Sequence, residues 1–190
     1  MINKAVNFLE EQLDAVLTTP GNPEAILLTT IVNEKGELNI EAGQLALMLV
    51  NIEEEKILKM QLPRERRIGD NIHFANPEIK LNLLMMLAAN PGTENYSTAL
   101  ERLSQAITFF QGTSFFDKKK YPGLGPEIEK LTIELYSLSL EQQNQLWASL
   151  GAKYLPSVIY KVRLVVIDGE LFGAETPVVK TLDNDLQRIN

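Results

Sequence analysis

Near the start of the chain, apolar residues recur at spacings of three and four: Val6, Leu9, Leu13, Val16 and Leu17. That spacing lines them along one stripe and predicts a helix over Asn3–Leu17. The run Thr18-Thr19-Pro20-Gly21-Asn22-Pro23 then stops it. Ala25–Val32 is a short β-branched run that reads as a strand, and Asn33–Gly36 as a turn. Leu45–Ile52 is almost continuously apolar and ends in Glu53, Glu54 and Glu55, which predicts a central strand, covered on both faces, running out to an acidic rim. Lys56–Asn76 is polar and irregular, a long connection of the functional or mobile kind. Ile79–Leu87 alternates and reads as a strand. Ala99–Phe110 has a second helical stripe through Leu100, Leu103, Ile107 and Phe110.

The second half repeats these patterns. Phe115–Gly125 reads as a loop holding three lysines and the Tyr121-Pro122-Gly123 turn. Leu131, Ile133 and Leu135 alternate with Thr132, Glu134 and Tyr136, a strand with one covered face. Ser139 and Gln142 are spaced as a capping box, opening a helix that runs to Leu150, with Gly151 as its left-handed cap. Ser157–Asp168 carries Val158, Tyr160, Val162, Leu164 and Val166 on one face and Ile159, Val165 and Ile167 with Lys161 and Arg163 on the other. Asp168-Gly169 is a turn, and Glu170–Asn190 is weakly patterned. The order α-β-β-β-α-β-α-β, mostly antiparallel with helices on one face of the sheet, predicts a single two-layer α+β domain over residues 1–168 and a C-terminal tail or arm over 169–190.

Composition narrows the chemistry. The chain has 190 residues, 45% hydrophobic and 23% charged, in the ordinary globular range. There is no cysteine, so disulfides, thiolate metal sites and a cysteine nucleophile are excluded. The longest apolar runs, Leu45–Val50 and Leu83–Ala89, are too short to span a bilayer, and the N-terminus lacks the core of a signal peptide, so no membrane partner is expected. A net charge of −7 argues against nucleic acid as a partner.

No catalytic constellation stands out. His73 is the only histidine, so it would have to serve any Ser-His-Asp triad, and no second histidine is there to help it hold a metal. It reads as a loop histidine, and a small hydrolase built on it and nearby carboxylates is the enzymatic alternative. Glu53, Glu54 and Glu55 are consecutive on an extended segment and do not converge on a cation. Asp183-Asn184-Asp185 lacks the glycine and glutamate of a calcium loop, and Gly123-Leu124-Gly125-Pro126 is turn chemistry, not a phosphate loop. Lys118, Lys119 and Lys120 lie beside Phe115, Phe116 and Tyr121, a short basic-aromatic mix that reads as a solvated loop or a dock for an acidic protein. Arg64, Arg66 and Arg67 read the same way. Trp147 on its helix reads as core, with a surface anchor as the alternative. No cofactor, metal or catalytic residue is expected.

One block is more specific. Leu146-Trp147-Ala148-Ser149-Leu150-Gly151-Ala152-Lys153-Tyr154-Leu155-Pro156-Ser157-Val158-Ile159-Tyr160-Lys161-Val162-Arg163 resembles a hallmark of the cap, or tail-terminator, proteins of extracellular contractile injection systems, phage-tail-like particles of the antifeeding-prophage type. Val50–Glu55, Asn76–Leu83, Ile128–Thr132 and Met1-Ile2 with Ala5–Leu13 fit it too, in the expected order. The resemblance implies a fold like phage tail terminators and a six-fold ring. It implies a structural role at the end distal to the baseplate, where the ring stops growth of inner tube and sheath. An adaptor between tube, sheath and the true cap is the alternative in the same machine. The implied partners are further copies of the chain (a hexamer), the inner tube protein and the sheath protein. The implied location is the bacterial cytoplasm during assembly, then the released particle. On that picture Glu53, Glu54, Glu55, Arg64, Arg66, Arg67, Lys118, Lys119 and Lys120 form the subunit or tube interface, setting register, since exposed ion pairs contribute only about 0–1 kcal/mol each. Affinity would come from apolar residues such as Leu58, Met60, Leu62, Phe115 and Phe116.

Overall fold

The computed structural model describes residues 1–18, 25–55, 64–68, 71–75, 79–93, 96–166 and 171–177. In chain order the elements are α1 (Ile2–Leu17), β1 (Ile26–Leu28), β2 (Leu45–Glu54), β3 (Arg64–Ile68), β4 (Asn71–Ala75), β5 (Ile79–Ala89), α2 (Tyr96–Gly112), β6 (Phe115–Asp117), a 3-10 turn (Pro122–Leu124), β7 (Ile128–Tyr136), α3 (Leu140–Leu150), β8 (Ser157–Val166) and β9 (Leu171–Pro177). The chain divides into two compact units, Met1–Lys59 with Ile79–Val166, and Met60–Glu78 with Ile167–Asn190.

The larger unit is built on a six-stranded mixed sheet in the order β1-β2-β5-β8-β7-β6. Only the β1–β2 pair is parallel, so the expected α+β fold with mostly antiparallel pairing holds. Strand alternation sends Leu45, Leu47, Leu83, Met85, Val162, Leu164, Leu131 and Ile133 to one face. There they pack against Ala5, Leu9 and Leu13 of α1 and Ala99, Leu103 and Phe110 of α2. α1 reaches both edge strands. Glu10 Oε1 accepts the Leu28 backbone N–H of β1 (2.8 Å), and the Phe8 ring lies edge-on to Phe116 of β6 (5.3 Å between centroids). The sheet thus curls around this helix.

The other face corrects one expectation. Helices do not keep to one side: α3 covers the opposite face, where Trp147 packs with Ala46, Met48, Met86, Ala88 and Ile159. The apolar residues on the second face of β8 were the signal for it. α3 has the predicted capping box: Ser139 Oγ accepts from Gln142 N–H, and Gln142 Oε1 accepts from Ser139 N–H. Gly151 closes it at φ 66°. The predicted turn at Asn33–Gly36 is present, with Gly36 N–H donating to Asn33 O. β1 is shorter than the run Ala25–Val32, because after Thr29 the chain leaves the sheet and buries Ile31 in the second cluster.

The smaller unit is a three-stranded antiparallel sheet, β3-β4-β9. One expectation fails here. Lys56–Asn76 is not irregular throughout: β3 and β4 pair antiparallel, with Ile68 opposite Asn71. Arg64-Glu65-Arg66-Arg67 has no apolar face in the sequence, so no alternation marks β3, and its pairing with β4 defines it. The weakly patterned segment after 169 supplies β9, which pairs with β4. The turn at Asp168-Gly169, the stop at Thr19–Pro23, the residues Leu58, Met60 and Leu62, and Asp183-Asn184-Asp185 lie outside the described residues.

Candidate assembly surfaces

β2 changes character along its length. Leu45–Met48 are buried, Leu49 and Val50 half-buried, and Asn51–Glu54 all exposed. A strand with one covered face would bury alternate residues. Four exposed residues in succession mean that neither face of this half is covered, so the expectation of a strand covered on both sides holds only for its first half. Ile52 is 46% exposed and Ile79 of β5 is 45% exposed in the same region.

The acidic residues occupy that projecting half and its end. Glu53 pairs in register with Asn82, and Glu54 with Leu81. Asn82 is buried and donates through Nδ2 to Glu55 Oε2 (3.2 Å), while Asn51 Nδ2 reaches Glu53 Oε1 (3.4 Å). Glu53 and Glu55 therefore lie on one face and Glu54 on the other. The three carboxylates do not converge.

The lysines sit on a built turn rather than a loose loop. Asp117 Oδ1 accepts the backbone N–H of Lys119 (2.8 Å) and of Lys120 (2.9 Å), and Asp117 O accepts from Tyr121 N–H (2.9 Å). Tyr121 is held edge-on between Phe116 (4.9 Å) and Phe8 (5.9 Å), and Lys120 Nζ lies 5.2 Å from the Tyr121 ring centroid. Lys118, Lys119 and Lys120 are exposed on top of this anchor. Phe116 is fully buried and belongs to the core, whereas Phe115 is 49% exposed.

The register relates the two charged sets. Glu54 pairs with Leu81, Leu81 with Leu164, Leu164 with Leu131, and Leu131 with Phe116. The acidic end of β2 and the lysine turn after β6 are therefore level, at opposite margins of one sheet. Four strand spacings, about 19 Å along the sheet, separate them.

The arginines belong to the smaller unit. Arg64, Arg66 and Arg67 occupy β3, opposite Ala75, His73 and Ile72 of β4. β3 is an edge strand. His73 is thus a strand residue in the middle of the three-stranded sheet, not a loop residue. The nine predicted residues fall on three elements: the end of β2, the turn after β6, and the edge strand β3.

A recess of about 210 Å³ opens where β7 parts from β8 beneath α3, lined by Leu135, Tyr136, Leu138, Leu146, Trp147 and Val158 among others. Sequence reading missed it; its one signal was Leu135, apolar by alternation yet 58% exposed. No carboxylate, histidine or lysine lines it. Among the described residues, no group of three or more histidine or carboxylate side chains is placed to hold a metal, and no helix is long and apolar enough to cross a membrane.

A sequence profile of the Pvc16 N-terminal domain matches residues 5–181. The chain belongs to the Pvc16 N-terminal domain family. Two solved structures share the fold of this Pvc16 N-terminal domain. One is the sheath/tube terminator of an extracellular contractile injection system, PVC, in its extended state. Its TM-score is 0.67 at 17% identity, over 100% of this chain and 64% of that one. The other is the tube-terminating cap of the anti-feeding prophage, with TM-score 0.63 at 19% identity, over 95% of this chain and 58% of that one. This chain therefore spans less than two thirds of the length of either. No protein of curated function matches its sequence.

Proposed function

We propose that this Pvc16 N-terminal domain is a subunit of a terminator ring that closes the baseplate-distal end of a contractile injection particle and ends polymerisation of inner tube and sheath. One observation carries the reading: the whole chain superposes on a sheath/tube terminator, at a TM-score of 0.67. The charged surfaces agree with it. A closed ring needs two different patches on each subunit meeting head to tail. The acidic and lysine margins of the six-stranded sheet lie on opposite sides, so they address different partners. The partners are other copies of the chain, as a hexamer, together with tube and sheath proteins. An acidic surface offers nucleic acid little, and a recess that no carboxylate, histidine or lysine lines offers catalysis little, so the role is structural and needs no cofactor. The subunit is made in the bacterial cytoplasm and leaves in the particle. The segment from residue 169 onward acts as an arm, since its one described strand, β9, pairs in the three-stranded sheet and not in the six-stranded sheet.

Deleting the gene from a producing bacterium tests this. Micrographs are expected to show overlong or open-ended tails, and a particle map is expected to place the chain at the distal tip. Tails of normal length with closed ends refute the reading, and density for the chain one layer inward makes it an adaptor. Supplying the chain with Lys118→Glu, Lys119→Glu and Lys120→Glu is expected to leave most tails uncapped. Full capping by that variant removes the lysine turn from the interface.

A further inference from the structure

α3 is held to the six-stranded sheet less firmly than α1 and α2, and we infer that Leu138–Leu155 is a flap that swings off the sheet as a unit and uncovers Met48 and Met86. Such a flap is independent of the terminator reading.

Burial ties α3 down weakly. α1 buries six side chains and α2 four, whereas α3 buries Trp147 alone. Leu146 and Leu150 are half-buried, and Leu140 is exposed. On the β7 side the contact is incomplete. The recess of about 210 Å³ lies between Gln143, Leu146 and Trp147 of the helix and Tyr136 and Val158 of the strands. Trp147 Nε1 is buried without a hydrogen-bond partner among the described residues. The closed state therefore forgoes a bond that water restores on opening.

Polar bonds do not tie the segment to the sheet either. Ser139 and Gln142 bond each other, Gln143 N–H donates to Ser139 O, and Gln145 Nε2 donates to Glu141 Oε1. Ser149 Oγ donates to Leu146 O, and Gly151 N–H to Ala148 O. The Tyr154 ring lies edge-on to Trp147, 5.6 Å between centroids. All of these contacts stay inside Leu138–Leu155. Among the described residues, no hydrogen bond or ion pair runs from this segment to the rest of the chain.

The topology supplies the hinge. The chain leaves β7 after Tyr136 and enters β8 at Ser157, and Tyr136 stands opposite Ile159. From there to Ile128 and Val166 the two strands pair without the flap. The flap can therefore move while the sheet keeps its register. Beneath it, Met48 and Met86 face each other across β2 and β5 and pack with Trp147, Ala46, Ala88 and Ile159. Thioether side chains adapt to varied surfaces. The closed flap withholds this adaptable apolar face from solvent and from other chains. Met85, the neighbouring residue, points the other way into the core under α1 and α2.

Methionine oxidation reads the opening. Met85 is 1% exposed and Met86 0%, so a flap that never opens leaves both equally slow to react. In dilute hydrogen peroxide, followed by mass spectrometry of the full chain's peptides, Met86 is expected to form its sulfoxide about tenfold faster than Met85. A helix as short as α3 does not persist off its sheet. In heavy water the amides of Leu146–Leu150 are therefore expected to exchange about a hundredfold faster than those of Met85–Leu87. Trp147→Ala is expected to speed Met86 by about a further tenfold and to leave Met85 within about twofold of the parent. Equal oxidation of Met85 and Met86 in the unmodified chain overturns the flap, as do α3 amides that exchange no faster than those of β5. Faster oxidation of both methionines alike in Trp147→Ala also overturns it, since Trp147 then belongs to the core that unfolds only as a whole.

Discussion

Tyr160 is buried in the helix-facing core beside Phe110, whose ring centroid lies 4.9 Å away. Its hydroxyl has no hydrogen-bond partner among the described residues. Burial disfavours the phenolate and raises the pKa from the ordinary 10.0 to about 12. The unfolded chain therefore loses this proton at lower pH than the folded one. The tyrosine's contribution to stability is intact below pH 10 and lost as pH rises toward 12. Tyr160→Phe keeps the ring and removes an unpaired hydroxyl. Urea melts are expected to show it within about 1 kcal/mol of the parent at pH 7 and with a flatter alkaline limb above pH 10. A parallel fall of both proteins across that range refutes the assignment. At this scale the sequence was informative where a side chain had one dominant role. Trp147 reads as core from its place on α3, and it is 4% exposed. It was uninformative where the role depends on a neighbour: nothing near Asp117 in the chain announces that its carboxylate organises the lysine turn.

Among the elements, those with local signals were legible. The stripe of α1, the capping box of α3 and the alternation of β8 each follow from residues close in sequence, and each appears where expected save Val16, which is exposed. Ser139→Ala removes one side of the capping box and is expected to cost about 1 kcal/mol, read from the shift in urea midpoint. An unchanged midpoint means the box is frayed in solution. Elements defined by pairing were not legible. β3 has no apolar face and β9 lies in a weakly patterned segment; both exist through β4, and only the contact reveals them. β6 is a three-residue strand for the same reason, held by β7. The acidic end of β2 was visible as a charge run, but the exposure of Asn51–Glu54 was not, because exposure depends on elements distant in sequence.

For the whole molecule, the fold class was legible and the candidate surfaces only in part. The sequence supplied the nine charged residues as one interface. The structure puts them on an acidic strand end and a lysine turn of the six-stranded sheet, and on an edge strand of the second unit. Three sets on different elements suit a subunit that touches several neighbours at once. The outer edges are not equally available. β1 is closed by Glu10 and β6 runs directly into its own turn. Glu10→Ala leaves the Leu28 N–H without its acceptor. It is expected to cost about 1–3 kcal/mol and to raise the sedimentation coefficient with concentration, as the reopened edge finds other chains. A variant that sediments as the parent does rules out that protective role.

The closing of the β1 edge by Glu10 of α1 bears on timing. On the proposed terminator role, the subunit must coexist at high concentration with its own copies before any tail is complete. A sheet with open margins would stack with its copies into fibrils in the cell. With Glu10 over the β1 edge, that edge offers no ladder to a second copy, and the subunit can be stockpiled. The step that commits it is then its meeting with a finished tail, not the amount that has accumulated.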